Sequence, residues 1–207
     1  MRPKLYDYFR SSCSYRVRIA LNLKAISYDT IPVSLLKHEN DEPAYLEMNP
    51  QGLVPTWQDE TMILSQSLAI LEYLDEAYPK TVPLLPQSLM MRAKARQLSN
   101  IIACDMHPLN NLRVKEYLLE AGFSNEAFMR WYHHWLKEGF DSLEQMVSNG
   151  PYCLGDELTM ADVCLIPQIY NAKRFDFDMM NYPKLMNIYH HCQTLNAFIQ
   201  AEPKETP

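Results

Sequence analysis

Three closely spaced prolines set the first limit on how this chain can fold. Pro79, Pro83 and Pro86 lie between Tyr78 and Ser88. Each lacks a backbone N–H and fixes φ, so neither a helix nor a central strand crosses the stretch. At 207 residues the chain is long enough for two small domains, and the hydrophobic patterns on the two sides of the break differ. We expect a domain over 1–80, a linker over 81–87 and a second domain over 88–207.

Before the break, strands alternate with helices. Residues 4–9 read as a strand, and Val17, Ala20, Leu21 and Lys24, with Ile19 and Leu23, fall at helical spacing. Ile31, Val33 and Leu35 alternate as a second strand. Asn49-Pro50-Gln51-Gly52 marks a turn before a short strand over 54–57, which residues 61–64 can pair with through a turn at Asp59-Glu60. Leu68, Leu71 and Leu74, with Ile70, Tyr73 and Ala77, then predict a helix over 66–77. Such alternation calls for a mixed sheet covered by helices. After the break the periodicity is helical over about 88–119, 125–147, 159–172 and 182–200, with Pro108 breaking the first near His107. Thr159 and Asp162 form a capping box, with Leu158 and Val163 as its hydrophobic staple.

Composition narrows the function. A net charge of −6 lacks the basic footprint of a general nucleic-acid binder. No apolar run reaches the roughly 18 residues of a membrane span. The start leads into a short strand rather than the apolar core of a signal peptide, so the expected location is the cytoplasm. Five scattered cysteines without a C-x-x-C pair fit reduced thiols. Adjacent histidines at His133-His134 and His190-His191 point about 100° apart on a helix, unlike a helical zinc pair, so no metal is expected.

The chemistry concentrates at Ser11-Ser12-Cys13-Ser14, where the first strand hands over to the first helix. Unpaired N–H groups and the positive end of the helix dipole meet there and stabilise an anion or a thiolate. A plain N-cap by serine is the alternative reading. The longer string Ser-Ser-Cys-Ser-Tyr-Arg-Val-Arg-Ile-Ala-Leu, over 11–21, resembles the signature of zeta-class glutathione transferases. So do Asn-Pro-Gln-Gly-Leu-Val-Pro at 49–55, Gln66-Ser67, the stretch from His107 to Arg113, and Asn-Ala-Lys-Arg-Phe at 171–175. The capping box resembles the motif of that family's helical domain.

The resemblance implies an α+β chain: an N-terminal thioredoxin-like domain, a Pro-rich linker and a C-terminal all-helical glutathione transferase domain. It implies glutathione as cofactor, a dicarboxylic keto acid as substrate and a homodimer. Ser12 is then the first choice to donate to the glutathione sulfur, supported by Ser11 and Cys13. A helix N-terminus can lower a thiol pKa from about 8.5 to roughly 3.5–7.5. Base rates favour a trans Val54-Pro55 bond, whereas the family carries a cis-proline there, presenting the Val54 backbone to glutathione as an added strand. Gln66 and Ser67 match the pair that holds the γ-glutamyl carboxylate, Ser67 also being placed to cap its helix. Asn40, His107 and Asn110 are further glutathione contacts, although animal members carry glutamine where Asn110 stands. Arg10, Arg113 and Arg174 are expected to bind substrate carboxylates, which guanidinium forks match; the alternative for each is a solvated surface charge. The implied activity is cis–trans isomerisation of maleylacetoacetate. Alternatives are the same reaction on maleylpyruvate, Cys13-dependent thiol–disulfide exchange, and a non-catalytic binding module.

Overall fold

The computed structural model describes residues 2–204. Its first unit comprises the chain through Leu84 together with the segment from Thr194 onward; Leu85–Gln193 form the second. In the first unit, β1 (Lys4–Asp7), α1 (Ser12–Leu23), β2 (Asp29–Pro32), α2 (Pro43–Met48), β3 (Thr56–Gln58), β4 (Ile63–Ser65) and α3 (Ser67–Ala77) follow in order. The sheet runs β2-β1-β3-β4. β1 pairs parallel with β2 and antiparallel with β3, and β3 pairs antiparallel with β4. The mixed sheet predicted from alternation is present, as in a thioredoxin-like domain.

Several boundaries moved for local reasons. The second strand ends at Pro32, and Leu35 opens a short 3-10 turn instead of extending it. The β3–β4 turn is wider than the expected Asp59-Glu60 step: the Asp59 N–H bonds to Met62 O at 3.0 Å. Two buried basic side chains fix the unit. Arg18 forks onto Asp7 at 2.7 and 2.9 Å and donates to the carbonyls of Ala201 and Phe9 at 2.9 and 3.1 Å. Lys24 donates to Asp75, Thr81 and the Val82 carbonyl at 2.8, 3.1 and 2.9 Å, fastening the Pro-rich stretch to α3.

The second unit contains α4 (Leu89–Asn100), α5 (Leu112–Glu120), α6 (Asn125–Met146), α7 (Met160–Arg174) and α8 (Pro183–Cys192). The helix expected over 88–119 is divided. After α4 comes a π-helical turn, Ile101–Met106, and then a 3-10 turn at Pro108–Asn110 before α5. Pro108 cannot donate to the helical ladder. The buried Met106 side chain lies over Gly139 of α6, where a Cβ would come within 2.2 Å of its Sδ and push the side chain aside. α7 is buried from Met160 through Asn171 and Ala172 apart from Tyr170, and it packs on α4 and α8. Its start carries the predicted capping box.

The helix expected over 182–200 is also two: α8 ends at Cys192, and α9 (Asn196–Ala201) begins after an extended Leu195. The second domain was expected to run to 207, but α9 packs on α1 in the first unit. Asn22 and Arg18 hold it there by bonds to the carbonyls of Ala197 and Ala201, both at 2.9 Å. Residues 205–207 lie outside the described residues.

Candidate active site

In the first unit the predicted residues gather around the starts of α1 and α3. Ser11 is the N-cap of α1, its Oγ accepting the Ser14 N–H at 3.2 Å. Ser12 is the buried first residue of the helix, and Cys13 is half-buried and outside any disulfide. The capping reading of the motif is therefore correct for Ser11, and capping leaves its hydroxyl proton available to donate.

At the other helix, the expected cap is displaced by one residue. Ser67 does not cap α3; Gln66 occupies the N-cap position with φ 69° and no side-chain capping bond. The amides of the first turn are therefore left unclaimed by a capping side chain. Gln66 instead donates to the Gln51 amide oxygen at 2.5 Å. Ser67 is buried and accepts from Arg16 Nη1 at 3.1 Å. The same nitrogen makes a long contact, 3.8 Å, with Cys13 Sγ. Arg16 thus links the two helix starts.

The Val54-Pro55 bond is cis, as the family resemblance implied and the base rate did not. Its loop is braced by residues to which the sequence reading gave no such role. Tyr45 OH and Asn49 Nδ2 both donate to the Leu53 carbonyl, at 2.8 and 2.7 Å, and both meet the buried Thr56 hydroxyl at 2.9 and 3.0 Å. Asn40 donates to Gly52 O at 3.0 Å and to Asp41 at 2.9 Å, so its amide nitrogen serves the loop. Gly52 has φ 62°, a conformation that glycine adopts without a Cβ penalty.

Arg10 is exposed, its guanidinium 4.9 Å from the Phe9 ring centroid. In the second unit, the π-helical turn and Pro108 place His107, Asn110 and Arg113 on one short connection. His107 closes the turn by bonding its N–H to Ile102 O at 2.9 Å. Trp131 holds the same connection by donating to Leu109 O at 2.8 Å. Asn110 is buried, and neither polar atom of its side chain has a partner among the described residues. Arg113 is exposed in the first turn of α5, following the N-cap Asn111.

Arg174 is exposed at the C-terminus of α7, 5.0 Å from the Phe175 ring centroid. Burial pushes the Tyr132 hydroxyl pKa well up, and the positive charge of Arg174 partly opposes that. His133 Nε2 lies 2.8 Å from the Phe175 carbonyl, a structural contact. Among the described residues no group of three or more His, Cys, Asp or Glu side chains is arranged to hold a metal ion, and no helix is long and apolar enough to cross a membrane.

Arg16 was the main omission of the sequence reading. It sits among ordinary helix residues, but its place four residues after Ser12 and three after Cys13 puts it on the same helix face as the motif.

Comparison with known proteins agrees with this geometry. The N-terminal domain model of the glutathione S-transferase family matches residues 10–77, and the C-terminal domain model matches 136–190. A probable maleylacetoacetate isomerase of Vibrio cholerae is 45% identical over 208 aligned residues, covering 98% of this chain and 96% of that protein. The holo structure of a maleyl pyruvate isomerase, described as a bacterial zeta-class glutathione S-transferase, superposes with a TM-score of 0.95 at 40% identity. It covers 99% of this chain and 98% of its own. A maleylacetoacetate isomerase from Methylobacterium extorquens AM1, solved with bound malonate and glutathione, gives a TM-score of 0.94 at 38% identity, with the same coverages. With nearly the whole chain covered at this identity, the chain belongs to the glutathione S-transferase family, on its zeta-class branch beside the maleylacetoacetate and maleylpyruvate isomerases.

Proposed function

We propose that the protein is a glutathione-dependent cis–trans isomerase of a maleyl keto acid, with maleylacetoacetate as its substrate. The observation that carries the reading is the pair of helix starts in the first unit. One bears hydroxyl and thiol groups, the other has no side-chain cap, and a cis-proline loop accompanies them. Glutathione suits that set because it offers a thiol, carboxylates and a peptide backbone. The α1 start receives the thiol, the α3 start with Gln66 and Ser67 receives the γ-glutamyl carboxylate, and the Val54 backbone pairs with the cysteinyl unit. Asn40, His107 and Asn110 are assigned to the remaining contacts; the buried, unpartnered amide of Asn110 fits a polar ligand group.

When bound, glutathione supplies a thiolate whose reversible addition to the double bond permits rotation before elimination. The chain's own part is electrostatic. Ser11, whose oxygen already accepts the Ser14 N–H, directs its proton to the sulfur and takes the lead from the more deeply placed Ser12, with Cys13 in support. The dipole of α1 favours the ionised sulfur. Arg10, Arg113 and Arg174 hold the substrate carboxylates and withdraw charge from the reacting carbons. The malonate bound with glutathione in the Methylobacterium relative supports a dicarboxylate substrate. A cytoplasmic homodimer serving tyrosine and phenylalanine breakdown follows from this reading by kinship.

Maleylpyruvate is the second reading, favoured by the close superposition on a maleyl pyruvate isomerase. The deciding assay is the isomerisation of each keto acid with and without glutathione. Fast turnover of maleylacetoacetate only when glutathione is present is expected. Turnover without glutathione overturns the mechanism, and turnover confined to maleylpyruvate moves the assignment to the second reading.

A further inference from the structure

α1 carries two buried arginines in very different surroundings. Arg18 has a full set of partners: a forked ion pair with Asp7 and two backbone carbonyls. This is how a structural arginine is accommodated inside a fold, since a buried charge is costly unless paired and hydrogen-bonded. Arg16 is more deeply buried, at 1% exposure against 9% for Arg18. Yet its partners are one hydroxyl, Ser67 Oγ, and one sulfur, Cys13 Sγ. Its Nε and Nη2 have no hydrogen-bond partner among the described residues. The groups it does reach stand at the starts of α1 and α3, where the helix dipoles are also positive. Charge of one sign is therefore collected at both places where glutathione presents its anionic groups.

We propose that Arg16 is a positioning residue for the glutathione site, a buried charge that couples the thiol end to the carboxylate end; this rests on the functional reading above. Its Nε and Nη2 are too deep to touch a ligand, so Arg16 acts through its neighbours and its field. By donating to Ser67 it fixes the hydroxyl at the α3 start and leaves that oxygen's proton free for a carboxylate. Through Cys13 and the first turn of α1 its charge favours the thiolate over the thiol. An arginine kept for this purpose is a burden to the fold alone. Replacing a whole buried ion pair by apolar side chains of similar volume is often neutral or stabilising, whereas removing one partner is strongly destabilising because it leaves an uncompensated charge. Among the described residues Arg16 has no counter-charge to leave behind.

That difference supplies the test. Arg16→Met, Arg16→Lys and Arg18→Met are compared with wild type in the purified full chain. Thermal melting gives stability, calorimetry gives the glutathione Kd, and ultraviolet absorbance of bound thiolate against pH gives the thiol pKa. Arg16→Met is expected to melt at or above wild type, with the Kd raised about tenfold and the bound-thiol pKa raised by about one unit, the scale on which a nearby unit charge moves an acid. Arg16→Lys should recover most of the thiol shift by restoring the charge. Arg18→Met should melt well below wild type because Asp7 is left buried and unpaired. If Arg16→Met is destabilised as badly as Arg18→Met or fails to fold, Arg16 is structural and the proposal is overturned. It is equally overturned if Arg16→Met folds and binds and ionises glutathione as wild type does, which leaves the functional reading standing. Wild-type protein that binds no glutathione overturns the functional reading itself.

Discussion

The starts of α3 and α7 meet the same physical requirement in opposite ways. Each must deal with first-turn N–H groups that have no partner inside the helix. At α7 the chain closes the problem itself. Thr159 caps the helix, and the buried Asp162 accepts from the Thr159 and Cys153 amides at 2.8 and 2.6 Å. At α3 the N-cap residue Gln66 makes no capping bond, and its side chain turns away to Gln51. The α7 start is closed by the fold itself, whereas the α3 start, beside the α1 motif, leaves its first-turn amides to a ligand.

The sharpest way to break this comparison is at Asp162. Asp162→Ala strands two buried backbone N–H groups, each worth about 1–3 kcal/mol when left unsatisfied. A loss of about 3–5 kcal/mol in urea unfolding is expected, close to the limit for a single substitution. Glutathione affinity of the protein that remains folded should be unchanged. If Asp162→Ala weakened glutathione binding without lowering stability, the division into closed and open starts would be wrong.

The α1 start comes next, because Ser11 is both cap and proposed donor. Ser11→Ala should cost about 1 kcal/mol of stability as a lost cap. Its main effect should be on turnover: kcat/KM for isomerisation falls about a hundredfold, the lower bound for deleting one preorganised donor in an active site. Ser12→Ala is expected to do less, and Cys13→Ala least. Should Ser12→Ala be the more damaging, the lead returns to the residue that the sequence motif suggested first.

How much of this was legible in the sequence depends on how local the cause was. The mixed sheet, the Pro-rich break, the α7 capping box and the helix-start motif are written in short-range patterns, and each is present, although strand ends such as that of β2 moved. Boundaries set by distant partners are not so written. The split between α8 and α9 follows from Arg18 and Asn22 binding carbonyls far along the chain. The Met106 side chain that ends the π-helical turn packs against a glycine in α6. Ser67 was misread as a cap because nothing local reveals the positive φ of Gln66. Among the candidate residues, the hydroxyl, thiol and exposed arginine side chains were singled out by type. Arg16, Tyr45 and Asn49 were not, because their roles come from burial against residues remote in sequence.

The second unit offers a smaller test. Arg174 ends α7, stands exposed beside Phe175 and contributes to the helix a favourable charge at its C-terminus. Arg174→Ala is expected to raise KM for the keto acid about tenfold, equivalent to about 1.4 kcal/mol. Glutathione Kd and the melting temperature should stay near wild type. A matching loss in glutathione affinity would show that the two ligands are not separately served.

The smallest expected effect lies at a second closed arrangement, the β3–β4 turn. Asp59 accepts from the Thr61 hydroxyl and amide at 2.6 and 2.8 Å, the Tyr73 hydroxyl at 2.6 Å and the Trp57 indole at 3.0 Å. Partial burial alone would raise its pKa, but these donated bonds outweigh it and hold the carboxyl well below the usual carboxylate range. Because the folded-state pKa is depressed, the associated stability is complete above the unfolded value of about 4 and disappears as pH falls through the folded one. Asp59→Asn should therefore cost about 1 kcal/mol at neutral pH and progressively less in acid, read by urea unfolding at several pH values. Glutathione binding at neutral pH should not change, as for Asp162. A cost that stays constant with pH would mean that the carboxylate charge is not what closes the turn, and a loss of glutathione affinity would make this turn, like the α3 start, part of the site.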